Sequence, residues 1–312
     1  MADVYLVCEG PADGLDSRAL DAVVAQILRV PVIVSPAGGD SSLASVASWL
    51  EERSRRTRKD GTLGPPSDRA FSIEDRDYRP RAEADASWHT KGNKRLMWRR
   101  HEIENYLLEP RVVQRAFDSL RRTVTFPWAR KLPTEEQAVA ELLADLAQPM
   151  VEDHAGRLLH WELRRAKGDA GVTDLPLPSP STAPGAKYPS RDQWIEALER
   201  ELDRLRRDCL AVAHLKTFDA HNVRARYDEL LAGIRQPEFI QSLQFLSDMG
   251  GHELLSALVA HLRTLGATQL SEEDLEDELV HALVSEYRPG LYQPDDFAEL
   301  AQRLTLAAGS QG

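Results

Sequence analysis

The chain has 312 residues, of which 42% are hydrophobic and 29% are charged. This suffices for one large domain or two ordinary ones and excludes a largely disordered or fibrous protein. Cys8 and Cys209 cannot build a disulfide framework, and with nine scattered histidines they show no zinc-ligand spacing. Because the sequence has neither an apolar run of bilayer length nor a secretory signal pattern, we expect a cytoplasmic protein without a membrane partner.

The net charge of −11 is unevenly distributed along the chain. Residues 51–100 carry fourteen Lys and Arg against nine Asp and Glu, and the basic residues crowd 53–59 and 91–100. Such a basic face suits a phosphodiester backbone, although a solvated surface explains the same pattern equally well. The candidate nucleic-acid-binding residues are Arg76, Lys91, Lys94, Arg95, Arg99 and Arg100.

The first hundred residues alternate between strand and helix patterns. The apolar runs predict strands at 4–8, 30–34, 70–73 and 96–98, and helical spacing predicts helices over 20–28 and 41–50. Asp16 or Ser17 is a candidate cap for the first helix. Residues 79–94 read as an exposed basic loop. This alternation predicts a parallel α/β sheet flanked by helices.

After Pro110 the pattern becomes helical. Amphipathic helices are predicted over 111–122, 134–148, 151–166, 193–213, 237–248, 252–265, 272–287 and 294–307. The acidic run 272–278 predicts a capped, solvated helix start. A Pro/Ser-rich stretch at 170–190 predicts a mobile linker. We therefore divide the chain into an α/β core, 1–110, and a mostly α-helical C-terminal region, 111–312.

Acidic residues follow the first and third predicted strands. Glu9 comes directly after the first strand, with Asp13 on the turn into the helix, and Asp75 and Asp77 follow the third strand. Ligands bind beyond the carboxyl ends of parallel strands, and in an extended segment positions i and i+2 project to one side. Because clustered carboxylates repel one another, a hard cation such as Mg²⁺ (or Mn²⁺) would resolve the conflict.

The next element brings two further carboxylates, Glu102 and Glu104. About five carboxylates would allow a two-metal site that clamps both oxygens of a phosphodiester. Each motif alone is weak, because Asp13 could simply cap a helix and Glu104 could simply pair with Arg100. The sequence has no ATP-binding P-loop, dinucleotide-binding, serine-hydrolase or zinc-protease motif.

The order of these motifs resembles the Toprim domain of topoisomerases, primases and OLD-family nucleases. The resemblance rests on the E-G-P-A-D segment at 9–13, the D-R-D-Y segment at 75–78, the E-I-E-N-Y-L-L segment at 102–108 and the S-P-A-G-G turn at 35–39. It covers residues 3–108, about a third of the chain. More loosely, the segment 250–255 is similar to a later G-K-x-L-L segment, with His252 where relatives often carry Lys.

The resemblance implies a metal-dependent nuclease with a Toprim-like core. Glu9 would be a metal ligand or general base accompanied by Asp13, Asp75 and Asp77 would hold the cation, and Glu104 would match a later glutamate. Some relatives are toxic effectors of anti-phage defence systems that an ABC-type ATPase partner controls, and certain effectors cleave RNA, including tRNA. A His at position 252 would stabilise phosphate charge only when protonated.

We therefore expect a Mg²⁺-dependent nuclease that acts on RNA or DNA, with Glu9 as the base. Its helical half would supply contacts to the ATPase partner or to a second copy in a homodimer. Two alternatives stay open. The chain could be a catalytically inactive regulatory subunit of an ATPase complex, or a Toprim-type phosphohydrolase acting on small nucleotides.

Overall fold

A four-stranded sheet forms the centre of the N-terminal part. The computed structural model describes residues 4–28, 31–53, 69–123, 127–172, 188–209, 212, 215–287 and 292–309. Within these residues the strands are β1 (Val4–Cys8), β2 (Val32–Pro36), β3 (Ala70–Glu74) and β4 (Arg95–Met97). All pairings are parallel, in the order β2-β1-β3-β4. The predicted parallel α/β sheet is confirmed, with β2 and β4 shifted by one or two residues.

The central strands are buried on both faces, which explains their uninterrupted apolar sequences. Leu6 and Cys8 face the large core that includes residues of α1 (Leu15–Ala22), whereas Val7 faces Leu43 and Leu50 of α2 (Asp40–Arg53). This alternation follows from the two-residue period of a strand. Helix α1 continues directly into a π-helical segment, Val23–Leu28.

The rest of the described chain is helical, which confirms the predicted C-terminal region. The further helices are α3 (Arg81–His89), α4 (Glu104–Leu107), α5 (Pro110–Thr123), α6 (Glu136–Ala147), α7 (Val151–Asp169), α8 (Arg191–Asp208), α9 (Ala220–Ile234), α10 (Pro237–Gln241), α11 (Phe245–Asp248), α12 (Gly251–Leu265), α13 (Glu272–Glu286) and α14 (Asp295–Gly309). Short 3₁₀ turns occupy Pro127–Lys131, Gln148–Met150 and Lys216–Phe218. Most of the predicted linker at 170–190 and of the basic run at 53–59 lies outside the described residues.

The prediction of an exposed basic loop at 79–94 is wrong, because α3 occupies the middle of this segment. Ala84 and Trp88 lie four residues apart and are buried, and the Trp88 indole donates a hydrogen bond to the Met97 carbonyl (2.7 Å). These contacts hold the helix against β4. With only these two buried positions, and with Glu83 and Asp85 on either side of Ala84, the helical period was not evident in the sequence.

Two further differences concern the C-terminal helices. The helix at 220–234 was not predicted, although Val223, Tyr227 and Leu231 recur every four residues and are buried on one face of α9. The predicted single helix over 237–248 is divided into α10 and α11. Leu243 lies between them with a φ of 59°, a left-handed conformation that interrupts a helix.

Most of the buried hydrophobic side chains form one large cluster that runs from Val4 to Leu304, across the predicted boundary at residue 110, and Val7 belongs to a smaller second cluster under α2. Helix α13 begins with the predicted cap, in which Ser271 and Asp274 form a reciprocal capping box. None of the described helices combines the length and the apolar character needed to cross a membrane.

Candidate active site

Glu9 and Asp75 meet at the carboxyl ends of β1 and β3. Because these strands are neighbours in parallel register, the residues that follow them leave the sheet side by side. The backbone N–H of Asp75 donates a hydrogen bond to Glu9 Oε1 (3.2 Å). This contact fixes the Glu9 carboxylate beside Asp75.

The turn after Glu9 brings in Asp16. Gly10 has a φ of +75°, and a Cβ atom at this position would lie 2.9 Å from Asp16 Oδ2. The Gly10 carbonyl accepts a hydrogen bond from the N–H of Gly38 in the glycine turn after β2 (2.8 Å). Glycine at position 10 therefore allows both the turn and the close approach of the Asp16 carboxylate.

Two further carboxylates come close to Asp75: Glu102, which lies just before α4, and Glu104, the first residue of α4. The His101 carbonyl accepts the backbone N–H groups of Arg76 and Asp77 (both 3.0 Å), which ties this segment to the turn after β3. Asn105 accepts a hydrogen bond from the Glu102 N–H and donates one to the Met249 carbonyl (both 2.9 Å). Asn105 thus joins α4 to the start of α12.

The N-terminus of α12 packs against these glutamates. A Cβ atom at Gly251 would lie 2.7 Å from the Glu104 Cβ and 2.9 Å from the Asn105 nitrogen. The His252 backbone N–H donates to Glu102 Oε1 (2.8 Å), whereas its imidazole is exposed, 3.8 Å from Glu272. The loosely similar segment at 250–255 therefore lies beside the glutamates, but His252 contacts Glu102 through its backbone.

The acid group, defined as Glu9, Asp16, Asp75, Glu102 and Glu104, carries strong mutual repulsion. Burial raises the pKa of Asp75 well above its usual range, and four neighbouring carboxylates raise it further: Asp16, Glu102, Glu104 and Glu9. Burial, Glu102 and Asp16 likewise raise the pKa of Glu104. For Asp16, burial and then Glu102 raise the pKa to about 7. A bound cation would relieve this repulsion.

Glu102 differs from its neighbours in the acid group. Burial by itself would raise its pKa, but the adjacent His101 ring and the His252 N–H lower it. The His101 Nδ1 atom lies 3.7 Å from Glu102 Oε1. Glu102 is therefore the member most readily kept ionised, and its charge contributes to the raised pKa values of Asp75, Asp16 and Glu104.

The donor atoms of the acid group fit a hard divalent cation, because all are carboxylate oxygens. Among the described residues, however, no three His, Cys, Asp or Glu side chains are already arranged as a metal-ligand set. The chemistry and the repulsion fit Mg²⁺ or Mn²⁺, whereas the ligand geometry is not preassembled.

Asp13 and Asp77, both predicted ligands, lie outside the acid group. Asp13 is exposed on the turn before α1. Asp77 has a φ of 49°, so the segment after β3 does not stay extended, and its side chain is 59% exposed and 3.8 Å from Arg79. The expectation that Asp75 and Asp77 face one cation is therefore wrong, because the chain turns between them.

Asp16 takes the place that Asp13 was expected to occupy. It lies in the first turn of α1, whose N-cap is Gly14 with no side-chain cap, so Asp16 does not cap the helix as predicted. One sequence feature could have identified Asp16 as a site residue: it stands in the first turn of a helix that follows a strand and a glycine turn. Sequence spacing did not distinguish the two aspartates.

Three of the predicted nucleic-acid-binding arginines are engaged inside the protein. Arg76 is buried and donates to the Ser247 carbonyl and to Asp248 (both 2.7 Å). Arg100 pairs with Glu109 and lies over the Tyr106 ring.

Arg99 is also buried and pairs with three carboxylates, those of Asp85, Asp296 and Glu299 (2.8, 2.5 and 2.8 Å). These interactions join the sheet edge to α3 and α14. The nucleic-acid-binding interpretation of Arg76, Arg99 and Arg100 is therefore corrected to a structural one.

The other three basic candidates lie nearer the surface. Lys91 is exposed, Lys94 pairs with Glu51 (2.6 Å), and the half-exposed Arg95 pairs with the buried Glu74 (2.8 Å). Lys91 and Arg95 are the more exposed of the three.

No protein-family model matches the chain, and no curated protein sequence matches it.

Proposed function

We propose that this chain is a metal-dependent nuclease of the Toprim type, with its active site at the acid group. The observation that carries the proposal is the meeting of Glu9 and Asp75 at the ends of adjacent parallel strands, with Glu104 and Asp16 beside them. Raised pKa values at a sheet edge where ligands bind are typical of a functional site. The repulsion between these carboxylates also destabilises the folded protein, so the acid group serves no evident structural purpose.

The residues best suited to hold Mg²⁺ or Mn²⁺ are Asp75, Glu104 and Asp16. A divalent cation supplies charge stabilisation for a phosphodiester and lowers the pKa of bound water. Glu9 would take the proton from the attacking water, since the Asp75 N–H orients its carboxylate. Lys91 and Arg95 would hold the phosphate backbone.

The motif resemblance supports the biological setting of this proposal. In that setting the nuclease is the toxic effector of an anti-phage system that an ABC-type ATPase partner controls, and its substrate is RNA such as tRNA, or DNA. The helical region after residue 110 would supply contacts to the partner or to a second copy of the chain.

Cleavage assays with labelled RNA and DNA in Mg²⁺ or Mn²⁺ test the proposal. Asp75→Ala is expected to abolish metal-dependent cleavage while the protein stays folded. Glu196→Ala, which removes an exposed acid on α8, serves as the control and should cleave normally. Cleavage that persists in the purified Asp75→Ala protein would contradict the proposal.

A second candidate function is a catalytically inactive subunit of an ATPase complex. The observation that favours it is the engagement of Arg76, Arg99 and Arg100 in internal pairs, which removes three expected contacts to nucleic acid. Calorimetric titration with Mg²⁺ and Mn²⁺ separates the two candidates. Binding that Asp75→Asn removes supports the nuclease, and absence of binding supports the inactive subunit.

A further inference from the structure

A large groove opens on the side of the turn after β3 that carries Asp77. It has a volume of about 720 Å³ and lies between this turn and helices α7, α9 and α10. Its aromatic lining comes from Tyr78, Trp161 and Phe239, joined by the aliphatic side chains Leu158 and Ile234. Its volume and mainly apolar lining are those of a small-molecule site. We name it the Trp161 groove.

Two of the residues that line the Trp161 groove each have a buried polar atom without a hydrogen-bond partner among the described residues. The atoms are Arg76 Nε and His154 Nδ1, and both residues are at least 95% buried. A buried polar atom without a partner costs free energy, so such atoms indicate a missing ligand or water. Arg76 offers a donor.

His154 offers a donor or an acceptor, according to its tautomer. Its ring lies between those of Tyr78 (5.8 Å) and Phe239 (6.0 Å). Burial, followed by the neighbouring His101, Arg157 and Arg76, lowers the pKa of His154 to about 3. The imidazole is therefore neutral at physiological pH.

The charges around the groove disfavour an anionic occupant. Its described lining includes five carboxylates but only three guanidinium groups. One of these, on Arg76, is already paired with Asp248. A phosphate would be repelled here, whereas a neutral heteroaromatic ring suits the aromatic lining.

The groove and the acid group are joined by the residues between Asp75 and Tyr78. Asp75 belongs to the acid group, and Asp77 and Tyr78 line the groove. Along the chain, the groove-lining residues from Arg76 to Tyr78 directly follow Asp75 of the acid group. A nucleic-acid strand with its phosphodiester at the acid group can therefore place a neighbouring base in the groove. Trp161, with Arg165 stacked 5.3 Å from its ring centre, provides an aromatic surface for that base.

We propose that the Trp161 groove binds one unpaired nucleobase of the strand to be cut, and so selects single-stranded over double-stranded nucleic acid. This inference rests on the proposed nuclease function. Its direct consequence is that affinity depends on the presence of a base as well as on the phosphate backbone.

Fluorescence anisotropy of the full chain carrying Asp75→Asn measures binding without cleavage. The probes are short single-stranded RNA and DNA and abasic strands of the same length. We expect Trp161→Ala to weaken binding of base-containing strands about fivefold to a hundredfold and to leave binding of abasic strands unchanged. Trp161→Phe keeps an aromatic surface and should retain most of the affinity.

Trp49→Ala is the matched control, because Trp49 is an exposed tryptophan on α2, outside the groove. Equal affinity for base-containing and abasic strands, or an equal loss for both on Trp161→Ala, would overturn the inference, and so would an absence of binding. Cleavage by the wild-type chain is measured in parallel. If cleavage occurs without base dependence, only the groove inference fails, whereas absence of both binding and cleavage counts against the nuclease itself.

Discussion

The backbone N–H of Asp75 and the carboxylate of Glu9 are joined by a hydrogen bond of 3.2 Å across the ends of two adjacent strands. The two residues are 66 positions apart in sequence, and only the pairing of β1 with β3 brings them together. The structure therefore distinguishes Asp75 from Asp77, although both belong to one D-x-D motif.

This distinction gives a direct comparison. Asp75→Asn is expected to lower metal-dependent cleavage at least about a hundredfold, because it removes a charged ligand from the acid group. Asp77→Asn, which removes an exposed charge beside Arg79, should cost less than about fivefold. Rates measured at saturating Mg²⁺ decide the matter, and equal losses in both variants would restore the paired-aspartate interpretation.

The stability of the metal-free protein should fall as the pH rises. Burial and Glu102 raise the pKa of Asp16 from 3.8 to about 7, so the folded state retains a proton that the unfolded state has released. The stabilising contribution of the proton on Asp16 is complete below pH 4 and is lost as the pH rises through 7. Thermal melts between pH 5 and pH 8 measure this slope.

Asp16→Asn should remove part of that pH dependence. At pH 8 we expect it to stabilise the metal-free protein by about 1 kcal/mol, which raises Tm by about 1–2 °C in a chain of 312 residues. Asp13→Asn, at the neighbouring exposed aspartate, is the control and should leave Tm unchanged. A lower Tm for Asp16→Asn at pH 8 would show that the carboxylate stabilises the turn rather than straining it.

Gly251→Ala should separate α12 from α4. The added methyl group would meet the Glu104 Cβ and the Asn105 backbone at less than 3 Å, so we expect a loss of about 1–3 kcal/mol in unfolding free energy. Gly233→Ala in α9 meets no atom within 4 Å and should stabilise the protein by about 0.5–1 kcal/mol. Chemical denaturation compares the two, and an unchanged stability for Gly251→Ala would refute the close packing.

Arg99→Met tests whether this arginine is structural. Its removal takes away the guanidinium that neutralises the buried Asp296, which keeps only the hydrogen bonds from the Arg99 backbone N–H and the Tyr106 hydroxyl. We therefore expect a loss of about 3–5 kcal/mol in unfolding free energy. Lys91→Met changes an exposed residue and should alter stability by less than about 0.5 kcal/mol. A folded Arg99→Met protein with full stability but weaker nucleic-acid binding would reinstate the original interpretation.

Local sequence patterns determined the elements of this protein. Continuous apolar runs predicted the strands because both faces of the central strands are buried, and most C-terminal helices followed from their apolar period. Helix α3 was not predicted because it has only two buried positions, Ala84 and Trp88, and Glu83 and Asp85 flank the first of them.

The tertiary structure alone decided which charges meet. Sequence spacing named Glu9, Asp75 and Glu104, and the fold brings these three together. Sequence spacing could not choose Asp16 over Asp13, since that choice depends on the positive φ of Gly10 and on where α1 begins. Nor could it separate exposed from internal arginines, because the carboxylates that neutralise Arg76 and Arg99 lie about 170 and 200 residues further along the chain. Long-range electrostatic pairing has no local signature, and the candidate site is built from it.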